Sequence, residues 1–290
     1  MTRPRTVLFA YSEVGFLCLE ELARAGANIV CVYTHEDDPS EEIWFHSVKD
    51  RAAALGIPVR TPAKLDAEEA AFLRGIEPEL IFSFYYRALI PKEILEMPRL
   101  GAYNIHGALL PKYRGRACVN WAVLNGESET GATLHVMTEK ADRGDIVASS
   151  SVPIAFSDDA REVFMKVAQA AREIIARHLP ALEAGTAART PQDESQATFF
   201  GRRRPADGAI DWNKSAVEIY NLIRAVTHPF PGAYTEFDGK KYYIWRAEPL
   251  TGSARPGEIV SVAPLVVGAG DGLLKILKLQ PEGGTEGESL

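Results

Sequence analysis

The 290-residue sequence has little cysteine: Cys18, Cys31 and Cys118 are its three thiols. They contain no CxxC spacing and their number is odd, which argues against a disulfide framework or a zinc site and suits a reducing compartment. Cys31 lies in the apolar run 29–34 and reads as a small buried hydrophobe. Long apolar runs are missing. No stretch approaches the roughly 18 residues of a membrane span. Arg3 and Arg5 near the N-terminus are followed by Glu13 and Glu20, so no signal-peptide core is present. The protein is expected to be cytoplasmic, with no membrane partner. Positive charge is also short. The formal net charge is -7, which disfavours nucleic acid as the main partner, since phosphate binding needs clustered Lys and Arg. Glycine is short at one telling place. Residues 10–15 follow the first apolar run, where a dinucleotide-binding fold carries GxGxxG, and they hold Gly15 alone. NAD binding is therefore not expected. No GxSxG surrounds Ser12 or Ser83, which excludes the usual serine-hydrolase elbow.

What remains is an ordinary globular balance, 46% hydrophobic and 24% charged residues, in a chain long enough to bury a sizeable core. Apolar runs at 6–11, 29–34 and 80–84 read as buried parallel strands, with a short strand starting at 57–59. Helical spacing from Phe16 to Gly26 and over 49–55 separates the first of them. This alternation predicts βαβ units and a parallel sheet covered by helices. Further strands are expected at 102–106, 132–137 and 146–154, and one long helix over 157–182, with Asp158 and Asp159 at its start. A polar segment then leads to short β-like runs at 242–245, 257–260, 265–267 and 274–277, which suit a small barrel or open sheet. The glycine-rich end, 283–287, is expected to be disordered or a linker.

Chemistry concentrates at 103–116, where Asn104 and His106 precede Gly107 and the basic run Lys112-Tyr113-Arg114-Gly115-Arg116. Residues two apart on a strand face the same way, so the amide and the imidazole stand side by side. An amide N–H can hold an oxyanion and an imidazole can move a proton. His106 alone also fits a buried, hydrogen-bonded structural role. Asp142, in a polar loop between two predicted strands, offers a carboxylate that would fix the ring's tautomer, but spacing does not show that the two meet. His135 has the opposite parity to Leu134 and Val136 and reads as structural. His35, beside Glu36, Asp37 and Asp38, reads as part of a solvated acidic loop, with a metal site the alternative. Tyr85-Tyr86-Arg87 either hold a flat ligand or pack, and Arg202-Arg203-Arg204 either form a solvated face or reach phosphates.

Asn104-Ile105-His106-Gly107, Leu109-Leu110-Pro111-Lys112-Tyr113-Arg114-Gly115 and Ala141-Asp142-Arg143-Gly144-Asp145-Ile146 together resemble the 10-formyltetrahydrofolate-dependent formyltransferases. Ala108 departs from the serine usual in that loop. The likeness covers nearly the whole chain. Phe82 to Arg87, Phe200-Gly201-Arg202-Arg203, Asp211-Trp212 and Pro229 to Ala233 look most like one branch, the one found in bifunctional polymyxin-resistance proteins. That branch formylates UDP-4-amino-4-deoxy-L-arabinose for lipid A modification. Its NAD-dependent decarboxylase domain is not in this sequence, so the chain resembles a stand-alone or excised transformylase with a possible decarboxylase partner.

The resemblance implies an α/β fold: a Rossmann-like parallel-sheet domain (1–188) binding folate and carrying catalysis, a linker (189–206) and a small OB-like β-domain (207–290). It implies 10-formyltetrahydrofolate as cosubstrate, no metal, and a nucleotide-sugar amine as acceptor. Asn104, His106 and Asp142 would be catalytic. Folate contacts would come from Ala88, Leu89, Ile90 and Arg116, and from Thr138, Glu139, Lys140, Ala141 and Asp142. Alternatives are a methionyl-tRNA formyltransferase, which the net charge disfavours, a formyltransferase for another nucleotide amino sugar, and a non-catalytic folate-binding module. The last is favoured if His106 and Asp142 stand too far apart to interact.

Overall fold

Short runs of β-branched and aromatic residues, bounded by turn residues, become the central strands. A computed structural model describes residues 2–39 and 41–288. In chain order the elements are β1 (Thr6–Ala10), α1 (Ser12–Arg24), β2 (Ile29–Tyr33), α2 (Val48–Ala54), β3 (Val59–Arg60), α3 (Ala67–Ile76), β4 (Leu80–Phe84), α4 (Lys92–Leu95), β5 (Ala102–His106), β6 (Arg114–Gly115), α5 (Cys118–Leu124), β7 (Glu129–Val136), β8 (Ile146–Pro153), α6 (Ala160–Glu183), β9 (Phe199–Phe200), α7 (Ala216–Val226), β10 (Ala233–Phe237), β11 (Lys240–Leu250), β12 (Ile259–Val262), β13 (Leu265–Gly268), β14 (Leu273–Pro281) and β15 (Gly287–Glu288). They form two units. The first takes residues up to Gly115, Thr130–Val152 and Phe164–Phe199; the second takes Arg116–Glu129, Pro153–Val163 and the chain from Phe200 onward.

The first unit is built on a seven-stranded sheet of order β3-β2-β1-β4-β5-β7-β8. The strands from β3 to β5 are parallel and β7 runs antiparallel to β5. This is the Rossmann-like arrangement the alternating pattern predicts, extended by a reversed strand. Chain order turns outward on both sides of β1 and β4, so loops leaving β1, β4 and β5 line the crevice where open α/β sheets bind ligands. One side of the sheet is sealed by Val7, Phe9, Cys31, Tyr33, Leu73, Ile81 and Ile94. Helix α1 comes close to the sheet at Gly15: a Cβ there would lie 3.1 Å from the Ala10 carbonyl carbon and 3.3 Å from the Phe84 oxygen. The lone glycine of that turn therefore serves close packing. All three cysteines are buried and none forms a disulfide, and burial pushes the Cys31 thiol up to about 12, so it stays protonated.

The second unit carries an antiparallel sheet of order β10-β11-β14-β13-β12, with β15 also on β14. Helix α7 lays Ile219 and Ile223 toward the interior that also buries Ile244, Leu274 and Ile276. The expected disordered end is corrected here. Gly287 pairs with Leu279, because β14 offers it an open row of backbone groups, and the Glu286 carboxylate accepts from Lys278 at 2.9 Å. Among the described residues no helix is long and apolar enough to cross a membrane.

Candidate active site

Strand β5 places Asn104 and His106 on one face, as their spacing requires, and its antiparallel neighbour brings His135 directly opposite Asn104. The loop between β7 and β8 then folds back. Asp142 takes a left-handed conformation (φ 57°), and its carboxylate meets both imidazoles. Asp142 Oδ1 lies 3.5 Å from His106 Nδ1 and 3.7 Å from His135 Nε2, while Oδ2 accepts from the Gly115 N–H at 2.9 Å. The side chains of His106, His135 and Asp142 are 7%, 2% and 10% exposed, so their charges act on one another with little screening.

The hydrogen-bond pattern assigns protons. His106 Nε2 lies 2.7 Å from the Tyr113 carbonyl and must donate to it. Tyr113 aims that carbonyl by sitting in the left-handed region (φ 57°). The second ring nitrogen faces the Asp142 carboxylate. A proton carried on that nitrogen would point at the carboxylate. His135 is different. Its Nδ1 lies 2.9 Å from the Val136 carbonyl and donates to it, which leaves Nε2 to accept from the Asn104 amide nitrogen at 3.1 Å. Burial lowers the His135 pKa to about 4 against the opposing pull of Asp142, so its ring is neutral near pH 7.

The structure thus brings Asn104, His106 and Asp142 together and adds His135, which sequence analysis reads as structural. The available signal is cross-strand register: parity separates His135 from the core face, and only the pairing with β5 shows that this face is the Asn104 face. The other expected site residues fall in two loops and at the start of the second unit. Ala88 and Leu89 are exposed after β4, Leu89 at 77%, whereas Ile90 turns back onto the core beside Ile94. Thr138, Glu139, Lys140 and Ala141 form the exposed rim leading to buried Asp142, with the Thr138 hydroxyl donating to the Lys140 carbonyl at 2.8 Å. Arg116 belongs to the second unit, where its N–H donates to the Phe200 carbonyl.

Of the residues left open, Tyr86, Arg87 and His35 pack against one another. Tyr86 stacks on His35 at 4.2 Å and meets Phe9 edge-on, and Arg87 lies 4.6 Å over Tyr11 and pairs with Glu41. His35 Nε2 accepts from the Arg87 N–H at 3.1 Å. Among the described residues no group of three or more His, Cys, Asp or Glu side chains is placed to hold a metal ion.

An amide donor, an imidazole and a carboxylate above the face of β5 form a site suited to group transfer at a carbonyl-like carbon. Residues 16–179 match the formyl transferase family, and residues 203–288 match the formyl transferase C-terminal domain. The chain belongs to the formyl transferase family. Solved structures share its fold. An N-formyltransferase from Helicobacter canadensis, in complex with folinic acid and dTDP-3-aminofucose, is 21% identical, with a TM-score of 0.75 over 94% of this chain and 98% of that one. WlaRD, a sugar 3N-formyl transferase solved in the presence of dTDP and 5-N-formyl-THF, is 19% identical with a TM-score of 0.74 over 97% and 98%. HypX from Aquifex aeolicus in complex with tetrahydrofolic acid is 20% identical with a TM-score of 0.69. There the match covers 99% of this chain and 46% of that one.

Proposed function

We propose that this formyltransferase moves a formyl group from 10-formyltetrahydrofolate to the 4-amino group of a nucleotide-linked amino sugar, with UDP-4-amino-4-deoxy-L-arabinose the favoured acceptor. The observation that carries the reading is the cluster of part-buried Asn104 with buried His135, His106 and Asp142 in a chain of this family. The uncharged amine attacks the formyl carbon, a C–N bond forms and the formyl oxygen becomes an oxyanion. His135 takes one N–H of the Asn104 amide; the other is the donor that meets the oxyanion. Collapse of the tetrahedral species breaks the bond to folate N10. The proton lost by the amine passes to that nitrogen through the His106–Asp142 pair, and the charged ring steadies the oxyanion meanwhile.

We assign folate binding to Ala88, Leu89 and Ile90, to Arg116 and to the loop from Thr138 to Asp142, and catalysis to residues 1–188. Backbone groups beside exposed Leu89 suit a flat heterocycle. A cytoplasmic setting fits three cysteines that form no disulfide. The relatives solved with dTDP or a dTDP sugar favour a second reading, in which another nucleotide amino sugar is the acceptor.

The test is a panel. Purified protein and 10-formyltetrahydrofolate are offered UDP-4-amino-4-deoxy-L-arabinose, dTDP- and GDP-linked amino sugars and Met-tRNA, and N-formyl products are measured by mass. Formylation of the UDP sugar at the highest kcat/KM supports the favoured reading, and a higher value for a dTDP or GDP sugar replaces it. Formylation of Met-tRNA alone overturns the nucleotide-sugar reading.

A further inference from the structure

Gln192 lies in the polar segment after α6, far in sequence from β5 and its loop. Its Oε1 accepts from Arg114 Nε at 3.2 Å and Nη2 at 2.7 Å. Arginine only donates, so that end of the amide is the oxygen. The nitrogen therefore points the other way and donates to two carbonyls, that of Asp142 at 2.9 Å and that of Gly144 at 2.7 Å. One amide thus grips both ends of the turn that carries the Asp142 carboxylate.

That turn needs a grip. Residues other than glycine rarely hold the left-handed region without support, and Asp142 occupies it at φ 57°. Gly144 is pressed against β7: a Cβ there would lie 1.9 Å from the Val136 oxygen. Arg114, 2% exposed, is a rigid base for the grip, since it also holds Glu194 at 2.6 Å and its N–H donates to the Thr198 carbonyl. A part-buried network so fully satisfied favours one geometry.

We propose that Gln192 is a positioning residue for the transfer, holding the Asp142 turn in the conformation that aims its carboxylate at His106 and at the Gly115 N–H. The proposal rests on the reading that Asp142 serves the reaction. It acts through geometry, so losing the two donated bonds lets Asp142 drift, and misplacement on the scale of 1 Å slows a step by up to about 100-fold.

The experiment compares wild type with Gln192→Ala, Gln192→Glu, Asp142→Ala and the Gln192→Ala/Asp142→Ala double variant, in turnover and in amide hydrogen exchange. Gln192→Glu keeps the Arg114 contact and sets oxygen against the two carbonyls, so it stays informative even if Gln192→Ala unfolds. With 10-formyltetrahydrofolate and UDP-4-amino-4-deoxy-L-arabinose, both single Gln192 variants should lose about 10- to 100-fold in kcat with KM within about threefold, and the Gln192 change should add less than about twofold to Asp142→Ala. The Gly115 amide, bonded to Asp142, should exchange at least about tenfold faster in the Gln192 variants while the Ile105 amide in β5 is unchanged. Unchanged Gly115 protection in both folded variants overturns the proposal, as does a Gln192 effect that is equally large without Asp142. If Asp142→Ala turns over like wild type, the catalytic reading of Asp142 fails; the Gly115 exchange, which needs no substrate, still decides whether Gln192 holds the turn.

Discussion

The side-chain nitrogen of Asn104 lies 3.1 Å from Nε2 of His135, and the other nitrogen of that ring is fixed by the Val136 carbonyl at 2.9 Å. A neutral, single-tautomer histidine thus decides which end of the Asn104 amide is the donor. His135→Ala should leave that amide free to flip, lowering kcat by about 10- to 100-fold with smaller changes in KM. His135→Gln, whose side-chain oxygen can accept the same bond, should recover most of the loss. Steady-state kinetics of the two variants checks this, and equal defects in both would show that the ring acts in some other way.

The same histidine makes stability depend on pH. In the folded protein His135 stays neutral down to a pKa of about 4, while in the unfolded chain it takes a proton near 6.5. The unfolded state therefore binds more protons between those values. Stability is full above pH 6.5 and falls as pH drops toward 4, by at most about 3 kcal/mol from this group. Burial lowers the His35 pKa too, which adds in the same direction. Tm measured from pH 7.5 to 5 should decline less steeply in His135→Gln than in wild type; parallel curves would contradict the assignment.

Leu89 is exposed and apolar in the loop after β4, with nothing in the core to lose. Leu89→Glu should leave Tm within a degree or two and raise the KM for 10-formyltetrahydrofolate by about tenfold, the scale of 1.4 kcal/mol of lost contact. An unchanged KM would remove Leu89 from the folate contacts.

Arg202 and Arg204 are exposed, while Arg203 is half-buried, lies 4.8 Å over Trp121 and donates to the Asp207 carbonyl. Reversing Arg202 and Arg204 to Glu should raise the KM for the nucleotide sugar several-fold, more so at low salt, if the run reaches phosphates. A KM that does not move at any ionic strength would return the run to a solvated face.

Much of the architecture was legible because local and global preferences agree. The runs at 80–84 and 102–106 match β4 and β5 residue for residue, since each is a buried strand cut off by polar or turn residues. The long helix was legible from its apolar spacing and its acidic start, where Asp159 and Glu162 cap each other at 2.8 and 2.9 Å; it begins three residues later than expected. Helix α7 went unread, although Ser215 and Glu218 form a capping box ahead of an apolar stripe. In the site, strand parity joined Asn104 to His106, and only the family pattern added Asp142. His135 and Gln192 escaped both routes. One depends on which strand pairs with β5, the other on a polar segment returning across the molecule to a turn, and neither leaves a periodic trace in its own neighbourhood.

In the proposed mechanism the Asn104, His106 and Asp142 cluster performs formyl transfer. The most direct measurement is the rate of N-formyl product formation from 10-formyltetrahydrofolate and UDP-4-amino-4-deoxy-L-arabinose by wild type and by His106→Ala, each shown to be folded by circular dichroism and thermal melting. Wild type should form product steadily, and the variant should be slower by at least about a thousandfold. Turnover by folded His106→Ala near the wild-type rate would contradict that mechanism.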